Sequence, residues 1–336
     1  MRQMMLSLTA LIPLAVTGTA AADVNIYTTR EPGLIQPLID SFTKATGIAA
    51  KTVFLQDGLA ERVSTEGESS PADILMTVDA GNLVDLVEKG VTQPINSAVL
   101  NEAVPAQLRD ENGQWFGLSY RARVIYAAQD LDVNGLTYED LADPKWKGKV
   151  CIRSGQHPYN TALFASYITH HGEEATETWL TGLKDNLARK AAGGDRDGAR
   201  DILGGICDLA VANSYYVGLM RSGKGGEEQT TWGNAIKVIL PTFKDGGTQV
   251  NISGAAIAKH APNKDEAVKF LEYLVSDEAQ EIYAKANYEY PVKAGVAADP
   301  IVASFGELTV DKTPLSEIIK HRKAASQLVD KVGFDS

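Results

Sequence analysis

From Val24 onward the chain alternates short apolar runs with amphipathic stretches, and that rhythm restricts it to an α/β architecture. Residues 24–29 predict a strand. Leu34, Ile35, Leu38, Ile39 and Phe42 then recur at helical spacing until Gly47 ends the run. Residues 48–55 predict a second strand, 58–67 a helix and 73–78 a third strand. A helix follows over 81–90, with Leu83, Leu86 and Val87 on one face. Such alternation implies a largely parallel sheet with helices on both faces.

A second block of the same kind begins near Val124, with strands predicted over 124–128, 150–153, 209–212 and 236–240. Residues 159–171 and 215–223 read as helices, and 195–202 as a polar turn running into a helix. Residues 254–259 predict a strand, and 265–287 one long, strongly periodic helical region. The chain has 336 residues, more than twice the commonest domain size of about 100–150. Two α/β lobes are therefore expected, with nothing in the pattern fusing them into one sheet. The cleft between such lobes is where small ligands usually bind.

The first residues carry Arg2, an apolar run to Val16, and Ala20, Ala21 and Ala22 just before Asp23. This is the layout of a secretory signal peptide over 1–22, cleaved after Ala22, because the apolar run is shorter than the roughly 20 residues a membrane span needs. Export to the periplasm is the expectation. Losing that segment removes one cation and no carboxylate, which takes the formal charge from −11 to 31 − 43 = −12. So acidic a chain is a poor candidate for binding nucleic acid or anionic lipid. Cys151 and Cys207 are the only cysteines, and in an oxidising compartment such a pair is expected to form a disulfide rather than remain two buried thiols. Each lies in or beside a strand-like stretch, 149–153 and 206–212, so the bridge would be structural.

The chain has no G-x-S-x-G, H-E-x-x-H or C-x-x-C. Gly218–Lys224 mimics a phosphate loop, but Gly225 stands where a Ser or Thr must hold magnesium, so a helix end is expected there. Asp195-Arg196-Asp197-Gly198 hints at a calcium loop but has Ile206 at its twelfth position, where Glu is required. The adjacent His170 and His171 are read as closing an apolar helix and complementing its dipole. An exported hydrolase built on Asp73 or Asp79 lacks any nucleophile–base motif, and an adhesion module would show repeats or an anchor.

The tyrosines remain. Asn213-Ser214-Tyr215-Tyr216 follows a predicted strand, Asn or Ser being a preferred N-cap, so both rings would occupy a first helical turn. There they diverge by about 100° and can converge on a ligand beyond the helix start. Gln156-His157-Pro158-Tyr159-Asn160 repeats the arrangement, with Pro near the first helical position. A phenol titrates near 10, so phenolate needs a strong cation beside it, and as a hard oxygen donor it suits ferric iron better than zinc. Equally, paired tyrosines can stack on a polyamine or a sugar, or line a site for an oxyanion alone.

Several stretches resemble the periplasmic ferric-binding proteins of bacterial ATP-driven importers. They include Ser70-Pro71-Ala72-Asp73-Ile74-Leu75-Met76-Thr77-Val78-Asp79, the run from Trp115 through Arg121 and Arg123 to Val124, and the run from Lys149 through Cys151 to Gly155. Leu187–Lys190, Asn213–Tyr216, Asn251–Gly254 and Tyr288–Lys293 belong with them. The resemblance implies a two-lobed class II periplasmic-binding-protein fold, like one lobe of transferrin, in which the chain crosses between lobes twice. It places one lobe over 23–122 with about 248–293, and the other over 123–247 with about 294–336. It implies a monomer that is not an enzyme, with Tyr159, Tyr215 and Tyr216 binding Fe3+ for delivery to a permease and its ATPase subunit.

Some family members add a His-Tyr or Tyr-Tyr pair just after the first strand, where this chain has Thr28-Thr29-Arg30-Glu31-Pro32. Three phenolates leave about half of an octahedral shell open, as in the members where carbonate or bicarbonate completes coordination. Arg30 and Arg121 are the candidates to hold that anion through their forked donors, and Glu31 is a candidate additional ligand on closure.

Overall fold

The computed structural model describes residues 23–133 and 135–336; the expected leader over 1–22 and its cleavage point lie outside the described residues. Its strands are β1 (Val24–Thr28), β2 (Ala50–Phe54), β3 (Ile74–Thr77), β4 (Thr92–Gln93) and β5 (Phe116–Ala128). They continue as β6 (Val150–Cys151), β7 (Leu209–Asn213), β8 (Ile236–Ile239), β9 (Val250–Ala258) and β10 (Tyr290–Pro291). The order across is β2-β1-β3-β9-β5-β7-β6, with β4 joining β9 and both β8 and β10 joining β5.

The outer pairs run parallel, β1 with β2 and β3, and β6 with β7, as the alternation predicts. The central pairs, β3–β9, β9–β5 and β5–β7, are antiparallel, which corrects the expectation of a largely parallel sheet. The cause is the path of the chain. β9 starts beside Ala122, at the middle of β5, and runs outward, whereas β1 and β3 run inward.

A second correction concerns the join. β5 is one strand of 13 residues, not a short one starting near Val124. Its residues 116–122 pair with β9, and 123–128 with β7 and β8, so a single strand belongs to both lobes. The sequence hides this because Arg121 and Arg123 interrupt the apolar pattern, yet both are buried. At the changeover Ala122 pairs with Val250 while Arg123 pairs with Asn213.

Helices pack against the sheet. The helix Pro32–Thr46 buries Ile35, Leu38, Ile39 and Phe42 against the first lobe's strands, and Phe42 meets Phe270 edge-on at 4.9 Å. Each such side chain contributes about 1.5–3 kcal/mol. Gly47 ends the helix in the left-handed region (φ 74°), where glycine carries no Cβ penalty. In the second lobe Tyr167 stacks on Trp179 at 4.1 Å, and Cys151 and Cys207 form the expected disulfide beside the β6–β7 pair.

Two helical expectations change. The helix expected to end at His171 continues as Pro158–Asp185 through a kink at Gly172, because glycine can take φ 79° and let the helix restart. The single region expected over 265–287 is two helices, Lys264–Leu274 and Asp277–Asn287, the second started by Ser276, whose hydroxyl accepts the Ala279 N–H. Among the described residues no helix is long and apolar enough to cross a membrane.

Candidate metal centre at the lobe junction

The carboxyl ends of β1 and β3 on one side, and of β7 on the other, face the region where β5 changes partners. Clefts outside strand carboxyl ends are the usual ligand sites of α/β proteins. One cavity there, of about 250 Å3, is lined by Arg30, Glu31, Arg121, Tyr159, Tyr215 and Tyr216, together with Asn287 and Glu289. All six residues singled out from the sequence therefore meet in one place. A larger cavity of about 710 Å3, lined partly by Asp85, Gln156 and Arg322, contains none of the tyrosines.

Tyr215 and Tyr216 open the helix Tyr215–Arg221, and Tyr159 is the second residue of Pro158–Asp185, behind Pro158. The expected side-chain cap at Ser214 does not form. Its hydroxyl instead accepts the Ala122 N–H at 3.1 Å, because the crossing strand needs that bond where it leaves β9 for β7. His157 caps the other helix, its Nδ1 accepting the Tyr159 N–H at 3.2 Å, and its ring lies 4.6 Å from the Tyr159 ring. Burial first, and then Arg153, push His157 down to about 4, so it is neutral at pH 7.

The Tyr159 and Tyr215 hydroxyls are 3.3 Å apart, and the Tyr215 and Tyr216 rings 4.1 Å. An octahedron with metal–oxygen bonds of about 2 Å has edges of about 3 Å, so these hydroxyls stand nearly as two ligands of one ion. Burial, then the neighbouring phenols, hold Tyr215 well above the ordinary phenol value. Burial, with Tyr159 and Asp195, pushes Tyr216 up to about 12. Phenols held uncharged in this way ionise only beside a strong cation.

Arginines surround the Tyr159 ring. The guanidinium carbons of Arg153, Arg121 and Arg123 lie 5.2, 5.6 and 6.0 Å from its centroid. Arg123 is committed: it donates to Asp195 at 2.7 Å, Asn213 at 3.0 Å and Asn160 at 2.6 Å. Arg121 donates to the Val78 carbonyl and, at 3.4 Å, to Ser253. Arg30 donates to both oxygens of Glu289 at 3.1 Å and to Ser253. Glu31 is exposed at the rim.

Sequence reasoning missed Glu289 and Asn287. Burial drives the Glu289 carboxyl up, but Arg30, Arg121 and Ser119 outweigh it and hold it below the ordinary carboxylate range. Asn287 is buried, and neither its Oδ1 nor its Nδ2 finds a partner among the described residues. Glu289 lies inside the stretch Tyr288–Lys293 that carries the resemblance, but no local pattern marks either residue; in the structure Tyr288, at φ 56°, turns the chain between them. Asp73 and Asp79 are structural: Asp73 accepts the Asn25 and Asn263 N–H groups, and Asp79 caps the helix Ala80–Glu88.

Asp195 anchors the arginine cluster, accepting from Arg123 and Arg153 with its side chain fully buried. Removing one partner of a buried pair leaves an uncompensated charge, so Asp195→Ala is expected to destabilise the protein by about 3–5 kcal/mol. Urea unfolding of the variant beside the parent checks this.

A two-lobed α/β chain with a polar cleft at the lobe junction has the architecture of a solute-binding protein. The family model for bacterial extracellular solute-binding proteins matches residues 69–305. Iron uptake protein A2 of Synechocystis is 40% identical over 338 residues, covering 98% of this chain and 95% of its own. The solved Bordetella ferric binding protein superposes with TM-score 0.91 at 65% identity, over 94% of this chain and 100% of its own. A Trichodesmium structure described as in complex with iron and citrate ligands gives TM-score 0.88 at 44% identity, over 93% and 99%. The chain belongs to the bacterial extracellular solute-binding proteins, in the branch that holds the iron-uptake and ferric-binding proteins.

Proposed function

We propose that this protein captures ferric iron in the periplasm and releases it to an inner-membrane permease driven by its ATPase subunit. It acts as a binding protein, without catalysis. Tyr159, Tyr215 and Tyr216 supply three phenolate ligands from the second lobe. The observation that carries this reading is the 3.3 Å approach of the Tyr159 and Tyr215 hydroxyls beside the Tyr216 ring.

Three phenolates balance the ferric charge and leave coordination positions open. A small oxyanion, carbonate or bicarbonate, fills them beside Arg121, while Glu31 approaches as the lobes close. Arg30 gives its Nη2 to Glu289 and Ser253, while its Nε has no hydrogen-bond partner among the described residues and remains available to the anion. The Asn287 amide, without a partner among the described residues, favours an alternative anion: a polycarboxylate such as citrate, the ligand named for the Trichodesmium relative. The lobes divide as 23–122 with about 248–293, and 123–247 with about 294–336. The partner change of β5 at Ala122 supports the first boundary.

Titration of metal-free protein with a weak ferric chelate, followed by visible absorption, tests the proposal. A tyrosinate-to-iron charge-transfer band is expected to saturate at one equivalent. It should need bicarbonate, or citrate in its place. A protein that stays colourless with either anion has tyrosines that serve another solute, and the iron reading fails.

A further inference from the structure

A second group of metal-ligating side chains lies in the second lobe, outside the tyrosine cleft. Glu139, at the start of the 3-10 turn Glu139–Ala142, His171, at the kink of the helix Pro158–Asp185, and Asp245, in the turn before β9, bring their ligand atoms within 4.8 Å of one another. His171 is twelve residues beyond Tyr159 on the same helix, about 18 Å along its axis. The cleft and this group are therefore separate places.

We propose that Glu139, His171 and Asp245 bind a divalent transition-metal cation, with zinc the best-fitting class. The donor set is one imidazole and two carboxylates. A nitrogen donor argues against calcium or magnesium, and the lack of thiolate argues against copper(I). Three protein ligands with one position open to water is a common zinc arrangement.

The imidazole and the first carboxylate are already in line, with His171 Nε2 at 2.8 Å from Glu139 Oε1. That oxygen also accepts the Lys244 N–H at 3.1 Å, which fixes the carboxylate against the turn carrying Asp245. The other oxygen, Oε2, points to a ligand independently. It is buried on a side chain only 10% exposed and has no hydrogen-bond partner among the described residues. An ionised carboxylate oxygen out of water and without a donor is costly, and a cation resolves that cost.

An outer layer is present too. His170 Nδ1 holds Asp245 Oδ1 at 3.0 Å, and its Nε2 lies 3.0 Å from Asp311 Oδ2. Asp311 is fixed in turn by the Gly247 and Thr313 N–H groups, both at 2.9 Å. The His170 ring thus meets the ligating carboxylate of Asp245 directly, while Asp311 stands beside its Nε2 as a charge without a hydrogen bond between them. Close packing keeps it in place: a Cβ on Gly246 would come within 2.3 Å of Asp311 Oδ2 and 2.7 Å of His170 Cε1. Bound metal would tie the turn before β9 to the helix that carries Tyr159.

The test is calorimetric titration of the purified protein with Zn2+ alone, and again for Glu139→Gln, His171→Gln, Asp245→Asn and His170→Gln. One equivalent is expected to bind the parent. Loss of Glu139 or His171 is expected to weaken binding by at least about 100-fold. Loss of the supporting His170 should cost about 10–100-fold, the usual range for outer-sphere partners. Asp245→Asn guards against misfolding, since its side chain is 60% exposed; its unfolding temperature without zinc should match the parent's, while the rise that zinc produces should disappear. No zinc binding by the parent, or binding that survives Glu139→Gln and Asp245→Asn undiminished, overturns the proposal.

Discussion

Replacing Tyr215 by Phe is expected to abolish tight ferric binding while leaving the fold in place. The ring is partly buried against the core and would stay there, whereas the hydroxyl bonds only to the tyrosines beside it. Removing one member of a neutral hydrogen bond changes stability by only about 0.5–1.5 kcal/mol, and here it also relieves a buried hydroxyl. The binding loss is of another order. An outer-sphere partner of a metal site typically costs 10–100-fold, and a directly bound anionic oxygen costs more. Competition against a graded series of chelators, with thermal unfolding alongside, separates the two effects. Undiminished affinity in a well-folded variant would remove Tyr215 from the ligand set.

The second expected result concerns protons. Tyr216 is held at about 12 and Tyr215 well above the ordinary phenol value, so both are neutral at pH 7 in the metal-free protein. If both bind iron as phenolates, each iron expels at least two protons. The bound state then holds fewer protons than the free state, so affinity rises with pH and falls in acid. Two protons correspond to a change of about 100-fold per pH unit, or about 2.7 kcal/mol. Proton release counted in unbuffered solution on adding ferric chelate, corrected for the chelate's own protons, checks the number. Fewer than two protons per iron would mean that at least one of the pair does not ionise. Such a slope makes mild acidification a route to release.

How much of this was legible depended on distance along the chain. Tyr215 and Tyr216 are visible because their convergence is local: a strand, a short turn and one helical turn. The same is true of Tyr159 behind Pro158. Glu289 was invisible because its role depends on Arg30, 259 residues away in sequence, across a strand order that no local pattern announces. The continuity of β5 was hidden for an electrostatic reason. Arg121 and Arg123 read as breaks in an apolar strand, and their burial is made tolerable by Asp195, Asn160, Asn213, Ser253 and the Val78 and Val211 carbonyls. The kink at Gly172 is hidden because a glycine after two histidines signals a helix terminus equally well. The surroundings of His170 and His171 are hidden because Asp245, Asp311 and Glu139 come from three separate segments of the chain.

The shared strand also has a mechanical meaning. Where two lobes are joined by loose loops, each wanders relative to the other, and closing on a solute must overcome that freedom. Here the first connection is a leaf spring: β5 keeps its ladder bonds through the changeover, handing from β9 at Ala122 to β7 at Arg123 without an unpaired residue. Such a joint can flex and twist but resists swivelling, so the facing walls are confined to a narrow arc before any cargo arrives. Little orientational entropy is left to lose on capture. With its amides engaged in a ladder, the joint also offers a protease no extended segment to cut.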